Sequence, residues 1–138
     1  MNAGARRQLK GENKLKITTF DPMIATTDAG TVIKVFRELG FERTHTAEAN
    51  DGLKDVERFR MKNCDGYHID IAQIADLPQD ITLIRMNVDD FEEAYQFFTE
   101  KGFTNLRGGS KVETKSNISA VLVSPSGFAI NLIQHYRK

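Results

Sequence analysis

The sequence predicts an α+β fold made of two tandem βαβββ modules, and three observations support this prediction. Residues 32–41 (VIKVFRELGF) resemble residues 94–103 (AYQFFTEKGF) at an offset of 62 positions. Residues 66–73 (GYHIDIAQ) resemble residues 127–134 (GFAINLIQ) at an offset of 61 positions. Between these segments the spacing of apolar residues changes from about 3.6 to 2, as it does when a helix is followed by strands. A repeat at a fixed period indicates one supersecondary unit that is used twice.

Each predicted module begins with a short strand that leads into an amphipathic helix. The two strands cover residues 23–26 and 81–88. Apolar residues then recur at steps of three and four, which places them on one helix face that packs against a sheet. These stripes are Val32, Phe36 and Leu39 in the first helix and Phe91, Tyr95 and Phe98 in the second.

Short signals mark the ends of both helices. Asp28 is a plausible N-cap of the first helix, and Asp89 followed by Glu92 has the form of a capping box for the second. Gly40 and Gly102 lie where a left-handed residue would end each helix.

The remaining segments of each module alternate with the period of a strand. The predicted strands are residues 42–48, 56–62 and 67–73 in module one, and residues 119–123 and 128–134 in module two. Two such sheets placed edge to edge form a curved mixed sheet with a shared concave cavity and with the helices on the outer face. We therefore predict one domain over residues 17–138, with module one at about 18–78 and module two at about 79–138.

This pattern resembles the vicinal-oxygen-chelate superfamily, which includes glyoxalases, bleomycin-resistance proteins and extradiol dioxygenases. The resemblance covers about residues 18–135. Its most specific parts are the helix ends LGF and KGF and the closing segment SPSGFAINLI, which is similar to the family pattern D-P-x-G-x-x-[IV]-E-[LF]. The resemblance implies a small-molecule site on the concave face and a two-fold homodimer.

Composition narrows the choice of partners. Lys plus Arg equals Asp plus Glu at 19 each, so no global field attracts nucleic acid or anionic lipid, and no apolar stretch is long enough to span a membrane. Residues 1–16 carry five bases and one acid without the apolar core of a secretory signal, and we expect a disordered polar leader. The single Cys64 cannot form an internal disulfide, which suits a cytoplasmic protein.

Strand parity predicts which side chains face the cavity. In residues 67–71, Tyr67, Ile69 and Ile71 should pack under the helix, so His68 and Asp70 should face inward. The same reasoning directs Phe128, Ile130 and Leu132 toward the helices. The other inward-facing residues are predicted to be Asp21, Met23, Ala25, Leu83, Arg85, Asn87, Ala129, Asn131 and Ile133.

The resemblance also implies four positions at which glyoxalase-type members hold a divalent ion. In this chain they are occupied by Asp21, Asp70, Leu83 and Asn131. Leu83 has no donor atom and Asn131 is neutral where the family has a carboxylate, so we expect no metal and no other cofactor. An alternative metal site made of His45, His68 and Asp70 stays open.

Three inward-facing residues have more than one interpretation. His68 and Asp70 form either a catalytic acid–base pair or a structural hydrogen bond. Arg85 either pairs with Asp21 or Asp70 or binds an anionic ligand, because an unpaired buried guanidinium is costly. Together with Asn131, Asp21 and Leu83, Arg85 is predicted to form the ligand-binding set.

Three functions are compatible with these residues. The first is a small organic ligand bound in the cavity without the usual family metal; the second is a metal-dependent lyase or isomerase of the glyoxalase type; the third is a non-catalytic structural or interaction module. The segment 107–110 lacks the strand–loop–helix setting of a phosphate loop and is predicted to be a rim over the cavity.

Overall fold

The computed structural model describes residues 15–44 and 56–136, in an open sheet with two helices. Residues 1–14, which make up most of the predicted leader, and residues 45–48 of a predicted strand lie outside the described residues. Module one contains β1 (Ile17–Thr26), α1 (Ala29–Glu38), β2 (Glu42–Arg43), β3 (Val56–Lys62) and β4 (His68–Ile74). Module two contains β5 (Ile81–Val88), α2 (Phe91–Glu100), β6 (Thr104–Asn105), β7 (Val112–Glu113), β8 (Asn117–Val123) and β9 (Ala129–His135).

The strands form one mixed sheet in the order β2-β3-β4-β1-β5-β9-β8-β6, and β7 pairs with β8. The two modules meet where β1 runs antiparallel to β5. Within the modules, β1 is parallel to β4 and β5 is parallel to β9. Both helices and the last strands recur at the offsets of 62 and 61 that the sequence predicted, so the α+β fold of two βαβββ modules is confirmed.

The two helices pack on the same face of this sheet, each over its own module. Each helix buries its apolar face against every second residue of the strands beneath it. This arrangement is expected, because apolar residues recur about every 3.6 positions in an amphipathic helix and every second position on one face of a strand. Around α1 the buried residues are Ala29, Ile33, Met61, Ile69 and Ile71. Around α2 they are Met86, Val88, Phe91, Ala94, Ala120, Leu122, Ile130 and Leu132. Among the described residues no helix is long and apolar enough to cross a membrane.

The helix starts agree with the sequence in one module and differ in the other. Asp28 caps α1 as predicted. The capping box predicted at Asp89 is wrong by one residue, because Asp90 is the N-cap of α2 and accepts the backbone N–H of Glu93 at 3.1 Å. Asp89 instead accepts the backbone N–H of Lys16 at 2.8 Å, which fixes the start of β1 against the end of β5.

Both helices end at glycines with left-handed backbone, as the sequence predicted. Gly40 has φ of 105° and Gly102 has φ of 98°. A Cβ at Gly102 would also lie 3.0 Å from Cγ of Pro125, so a side chain there would be crowded as well as conformationally strained.

Three residues that were predicted to lie in the core are exposed. Tyr67 is 69% exposed, Leu39 is 67% exposed and Phe128 is 50% exposed. Tyr67 and Phe128 directly precede β4 and β9, beyond the part of the sheet that the helices cover. Phe128 still makes an edge contact with Phe103 at 5.6 Å between ring centroids.

The first strand is longer than predicted. It begins at Ile17, whose partner is Val88 at the far end of β5. Leu15 packs against the core beneath α2. The pairing of β1 with β5 makes β1 longer than its local sequence pattern predicted, because it includes residues whose periodicity did not indicate a strand.

Candidate functional site

The face opposite the helices, here called the concave face, is divided into two regions of different chemistry. Along a strand, two inward-facing residues that are two positions apart can belong to different regions, one charged and the other apolar. The first region, here called the ion cluster, consists of Asp21, Asp70, Arg85 and Arg60. The second is an apolar cavity of about 290 Å³ that includes Met23, Ala72 and Leu83 in its walls.

A buried ion pair lies at the centre of the ion cluster. Nη1 of Arg85 donates to Oδ1 of Asp70 at 2.8 Å, and both side chains are 1% exposed. Nε of Arg85 also donates to Oδ1 of Asn87 at 3.2 Å. Of the two roles that the sequence left open for Arg85, the structure thus shows the pairing with Asp70.

Asp21 is buried beside this pair with little compensation. Its Oδ2 lies 3.8 Å from Nη2 of Arg60, and in the described part of the chain neither of its oxygens accepts a hydrogen bond. Burial, followed by the closeness and negative charge of the Asp70 carboxylate, raises the pKa of Asp21 to about 7. Two adjacent carboxylates cannot both ionise cheaply, so Asp21 keeps its proton up to a higher pH than an exposed aspartate does.

His68 is not linked to Asp70. It borders a shallow depression with Asp21, Arg60 and Tyr67. Within the described part of the chain it makes no hydrogen bond with Asp70, which accepts a hydrogen bond from Arg85. Burial and the nearby charges of Arg60 and Lys62 lower the pKa of His68. The structure therefore places the predicted acid–base pair side by side on β4 without the hydrogen bond that would make the two residues act together.

The apolar cavity lies between β1, β4, β5, β8, β9 and the loop that follows β6. Leu83 and Asn131, two of the predicted ligand-binding residues, line it. Nδ2 of Asn131 contacts Sδ of Met23 at 3.4 Å across the cavity floor. The aliphatic part of the wall consists of Met23, Ala25, Ala72, Ile74, Leu77, Ile81, Leu83, Leu106, Val112, Ala120, Val121, Val123 and Ala129.

The loop after β6 forms the rim that the sequence predicted. Leu106, Arg107 and Ser110 all line the cavity. Asn105 organises this loop, because its Oδ1 accepts the backbone N–H of Arg107 at 2.8 Å and its Nδ2 donates to the carbonyl of Ser110 at 2.8 Å. The backbone N–H of Leu106 donates to the carbonyl of Val121, which fixes the rim to β8.

The structure divides the predicted site residues between the two regions. Leu83 and Asn131 line the cavity, whereas Asp21, Asp70 and Arg85 form the ion cluster. His45 lies outside the described residues.

Arg58 lines the cavity from β3, although it was not among the residues that the sequence predicted for the site. The signal was present, because Arg58, Arg60 and Lys62 alternate with Phe59 and Met61 and therefore share one face of the strand.

The sheet order, the two helix-covered modules and the concave cavity define the class: the chain has the vicinal-oxygen-chelate fold. Methylmalonyl-CoA epimerase from Mycobacterium tuberculosis is similar with a TM-score of 0.62 and 13% identity, over 88% of this chain and 90% of that chain. A glyoxalase/bleomycin resistance protein/dioxygenase superfamily member from Vibrio splendidus is similar with a TM-score of 0.56 and 16% identity, over 88% of this chain and 100% of that chain.

A glyoxalase I variant from Zea mays is also similar, with a TM-score of 0.63 and 20% identity, over 98% of this chain and 50% of the maize chain. The sequence matches no protein-family model and no curated protein. At these identities the solved structures establish the fold, and the site must identify the function.

Proposed function

We propose that this protein binds a small, mainly apolar organic ligand in the cavity on its concave face, without the divalent ion of glyoxalase-type relatives. The observation that carries the proposal is the cavity itself, with its aliphatic walls and the few polar groups of Asn131, Ser119 and the rim. Ligand sites are usually concave and apolar with a small number of polar groups that orient the ligand. A volume of about 290 Å³ favours a compact molecule.

The four family metal positions support the part of the proposal that excludes the ion. Leu83 has no donor atom, and the amide nitrogen of Asn131 is directed at the sulfur of Met23. Asp70 already binds the guanidinium of Arg85, which supplies positive charge beside it. Among the described residues, no three His, Cys, Asp or Glu side chains group closely enough to hold a metal ion.

Ligand binding is tested by filling the cavity. Ala72 lines it, so Ala72→Leu would place a larger side chain at the cavity wall and reduce the space for a ligand. A panel of small neutral aromatic and alicyclic compounds would be screened by ligand-observed NMR and by the shift in melting temperature. We expect binding to the wild type and to the control Val35→Leu, which adds volume on the exposed face of α1, and loss of binding to Ala72→Leu. Equal binding to all three proteins, or no binding to any, would refute the proposal.

The metal-dependent alternative is tested by elemental analysis of the purified protein. The names of the similar epimerase and glyoxalase make a lyase or isomerase the main enzymatic alternative. We expect no stoichiometric Zn, Ni, Mn or Fe, and no loss of stability on adding a chelator. About one equivalent of metal per chain that disappears in Asp70→Asn would favour the enzyme.

We further propose a two-fold homodimer. The sheet ends in the two-residue strand β2, whose outer edge belongs to a polar segment that another copy can cover. Light scattering should give twice the chain mass at micromolar concentration, and a monomer mass there would refute this assembly.

A further inference from the structure

Two buried polar side chains line the apolar cavity, and we propose that they select ligands that carry a hydroxyl group on a compact apolar body. They are Ser119 of β8 and Asn131 of β9, here called the polar pair. This inference rests on the proposed function, since it names the class of ligand for the same cavity. Ser119 is 5% exposed and Asn131 is 6% exposed, so the cavity wall shields both side chains from bulk solvent.

The hydrogen bonding of the polar pair is incomplete within the described part of the chain. The carboxamide of Asn131 makes one contact, from Nδ2 to the thioether sulfur of Met23 at 3.4 Å, and sulfur is a weak acceptor. Among the described residues, Oδ1 of Asn131 accepts no hydrogen bond and the hydroxyl of Ser119 makes none. Because both residues line the cavity, a bound ligand can supply the missing partners and gain affinity by doing so.

The other polar residues of the wall are engaged elsewhere or lie at its exposed border. Asn105 uses its carboxamide to hold the rim loop, through the backbone N–H of Arg107 and the carbonyl of Ser110. Arg107 and Ser110 are themselves exposed, and Arg58 takes part in an interaction of its own. The described part of the wall includes no Asp or Glu. The polar pair is therefore what the buried part of the cavity offers to a polar group of a ligand.

The strand register brings the two members of the polar pair near one another. Strands β8 and β9 are antiparallel, with Asn131 opposite Val121 and Ser119 opposite Ile133. The polar pair consists of diagonal neighbours on the concave face, and such neighbours in a sheet are roughly 7–8 Å apart. A single ligand oxygen that lies between the two side chains can therefore be within hydrogen-bond reach of both.

The chemistry of the polar pair favours a neutral group that both donates and accepts. Oδ1 of Asn131 needs a donor, whereas the hydroxyl of Ser119 can donate to an oxygen of the ligand. A ketone or an ether has no donor for Asn131. A carboxylate would oppose Oδ1, and an ammonium group would lie near the buried guanidinium of Arg85, which is the partner of Asn131 on β5. A hydroxyl group meets both requirements without a charge.

The test compares alcohols with their methyl ethers and their parent hydrocarbons. The alcohols are cyclohexylmethanol, para-ethylphenol and 2-naphthol, and dissociation constants would be measured by ligand-observed NMR. We expect at least one alcohol to bind about fivefold more tightly than its ether, a preference of the size that one neutral hydrogen bond provides. The hydrocarbon of that series should also bind, because the apolar wall contacts the body of the ligand.

Variants of the polar pair separate hydrogen bonding from shape. Ser119→Ala and Asn131→Leu should each reduce the preference for the alcohol, and the double variant should prefer the hydrocarbon, because the hydroxyl then loses water without gaining a partner. Thr82→Val is the control, since it removes an exposed hydroxyl from the opposite face of β5. Ser119→Ala is a small change, so it decides the question even if Asn131→Leu does not fold.

Each outcome distinguishes the selectivity from the binding itself. A preference for the alcohol in wild type and in Thr82→Val that falls in Ser119→Ala supports the inference. If hydrocarbons bind but alcohols bind no better than their ethers, the proposed function stands and this inference is wrong. A preference that survives in the double variant would assign the selectivity to another group and would also overturn it. If none of these compounds binds to the folded wild type, the proposed function falls, and the selectivity falls with it.

Discussion

The ion cluster and the apolar cavity occupy the same concave face, and β1, β3, β4 and β5 contribute to both. On β1, β4 and β5 the neighbouring inward-facing residues differ completely in chemistry: they are Asp21 and Met23, Asp70 and Ala72, and Arg85 and Leu83. The alternation of side chains along a strand predicts only which face of the sheet a residue occupies, so it predicts the same face for both members of each pair. The difference shows that a shift of two residues along a strand decides whether an inward-facing side chain belongs to the ion cluster or lines the cavity.

The two regions also differ in how they use burial. Charges at the ion cluster are desolvated and depend on one another, so removing one leaves the others uncompensated. The cavity leaves aliphatic surface without full packing partners, so removing a methyl group there costs less than in a filled core. Mutations in the two regions should therefore have effects of different size, and the following predictions test that difference.

The largest effect is expected from Arg85→Leu. This change leaves Asp70 buried at 1% exposure beside Asp21 without its partner, and we expect a loss of about 3–5 kcal/mol in the free energy of unfolding. Chemical denaturation of the single variant and of the double variant Arg85→Leu/Asp70→Leu would measure this. The double variant should regain most of the loss. A single variant within about 1 kcal/mol of wild type would show that the ion pair is not structural.

The next effect concerns the dependence of stability on pH. The pKa of Asp21 is raised from 3.8 to about 7 in the folded chain, so between these values the folded state holds a proton that the unfolded chain has released. Stability should therefore fall as pH rises through this window and then level off, by on the order of 2–4 kcal/mol at ~1.4 kcal/mol per pKa unit.

Asp21→Asn should remove this dependence, because the amide cannot ionise. Denaturation midpoints at about pH 5 and about pH 8 would be compared for wild type, Asp21→Asn and the exposed control Glu57→Gln. A wild type that gains stability over this range, or an Asp21→Asn variant that keeps the wild-type slope, would contradict the assignment.

A smaller effect is expected at the cavity wall. Leu83→Ala shortens a side chain that faces open space, so we expect a loss of about 1–2 kcal/mol, below the usual range for a buried leucine. Leu132→Ala is the matched control in the packed core beneath α2, where the leucine is fully buried, and it should lose more. Equal losses measured by denaturation would mean that the cavity wall is packed as tightly as the core.

The smallest effect is expected from His68→Asn. Within the described part of the chain, His68 makes no hydrogen bond with Asp70, so we expect a change of less than about 0.5 kcal/mol in the free energy of unfolding. Asp70→Asn serves as the comparison, because it weakens the pair with Arg85 and should cost much more. A large effect of His68→Asn would instead favour the catalytic or structural pairing of His68 with Asp70 that the sequence left open.

The sequence predicted the fold correctly because the fold depends on signals that repeat. Gly40 and Gly102 mark both helix ends, and the offsets of 62 and 61 recur in the observed elements. The prediction was wrong where a local signal competed with a tertiary contact. Asp89 has the form of an N-cap, but its carboxylate is used by the backbone of Lys16, a residue 73 positions away.

The candidate site was predicted in part. Leu83 and Asn131 were placed on the concave face correctly, and both line the cavity. Arg85 was also placed on that face, but the choice between Asp70, Asp21 and a ligand depended on which side chain lay within 2.8 Å of its guanidinium. No spacing along one strand carries that information, because the partner comes from another strand.

The sequence by itself therefore determined the two modules, the helices that cover one face and the set of side chains on the other. These features follow from periodicity and helix-end residues, which act over a few positions of the chain. Only the tertiary structure decided that Asp70 binds Arg85, that Asp21 is buried beside them and that Arg58 and Arg107 line one cavity. The register of neighbouring strands and the path of the rim loop set these contacts, and both result from packing over the whole sheet.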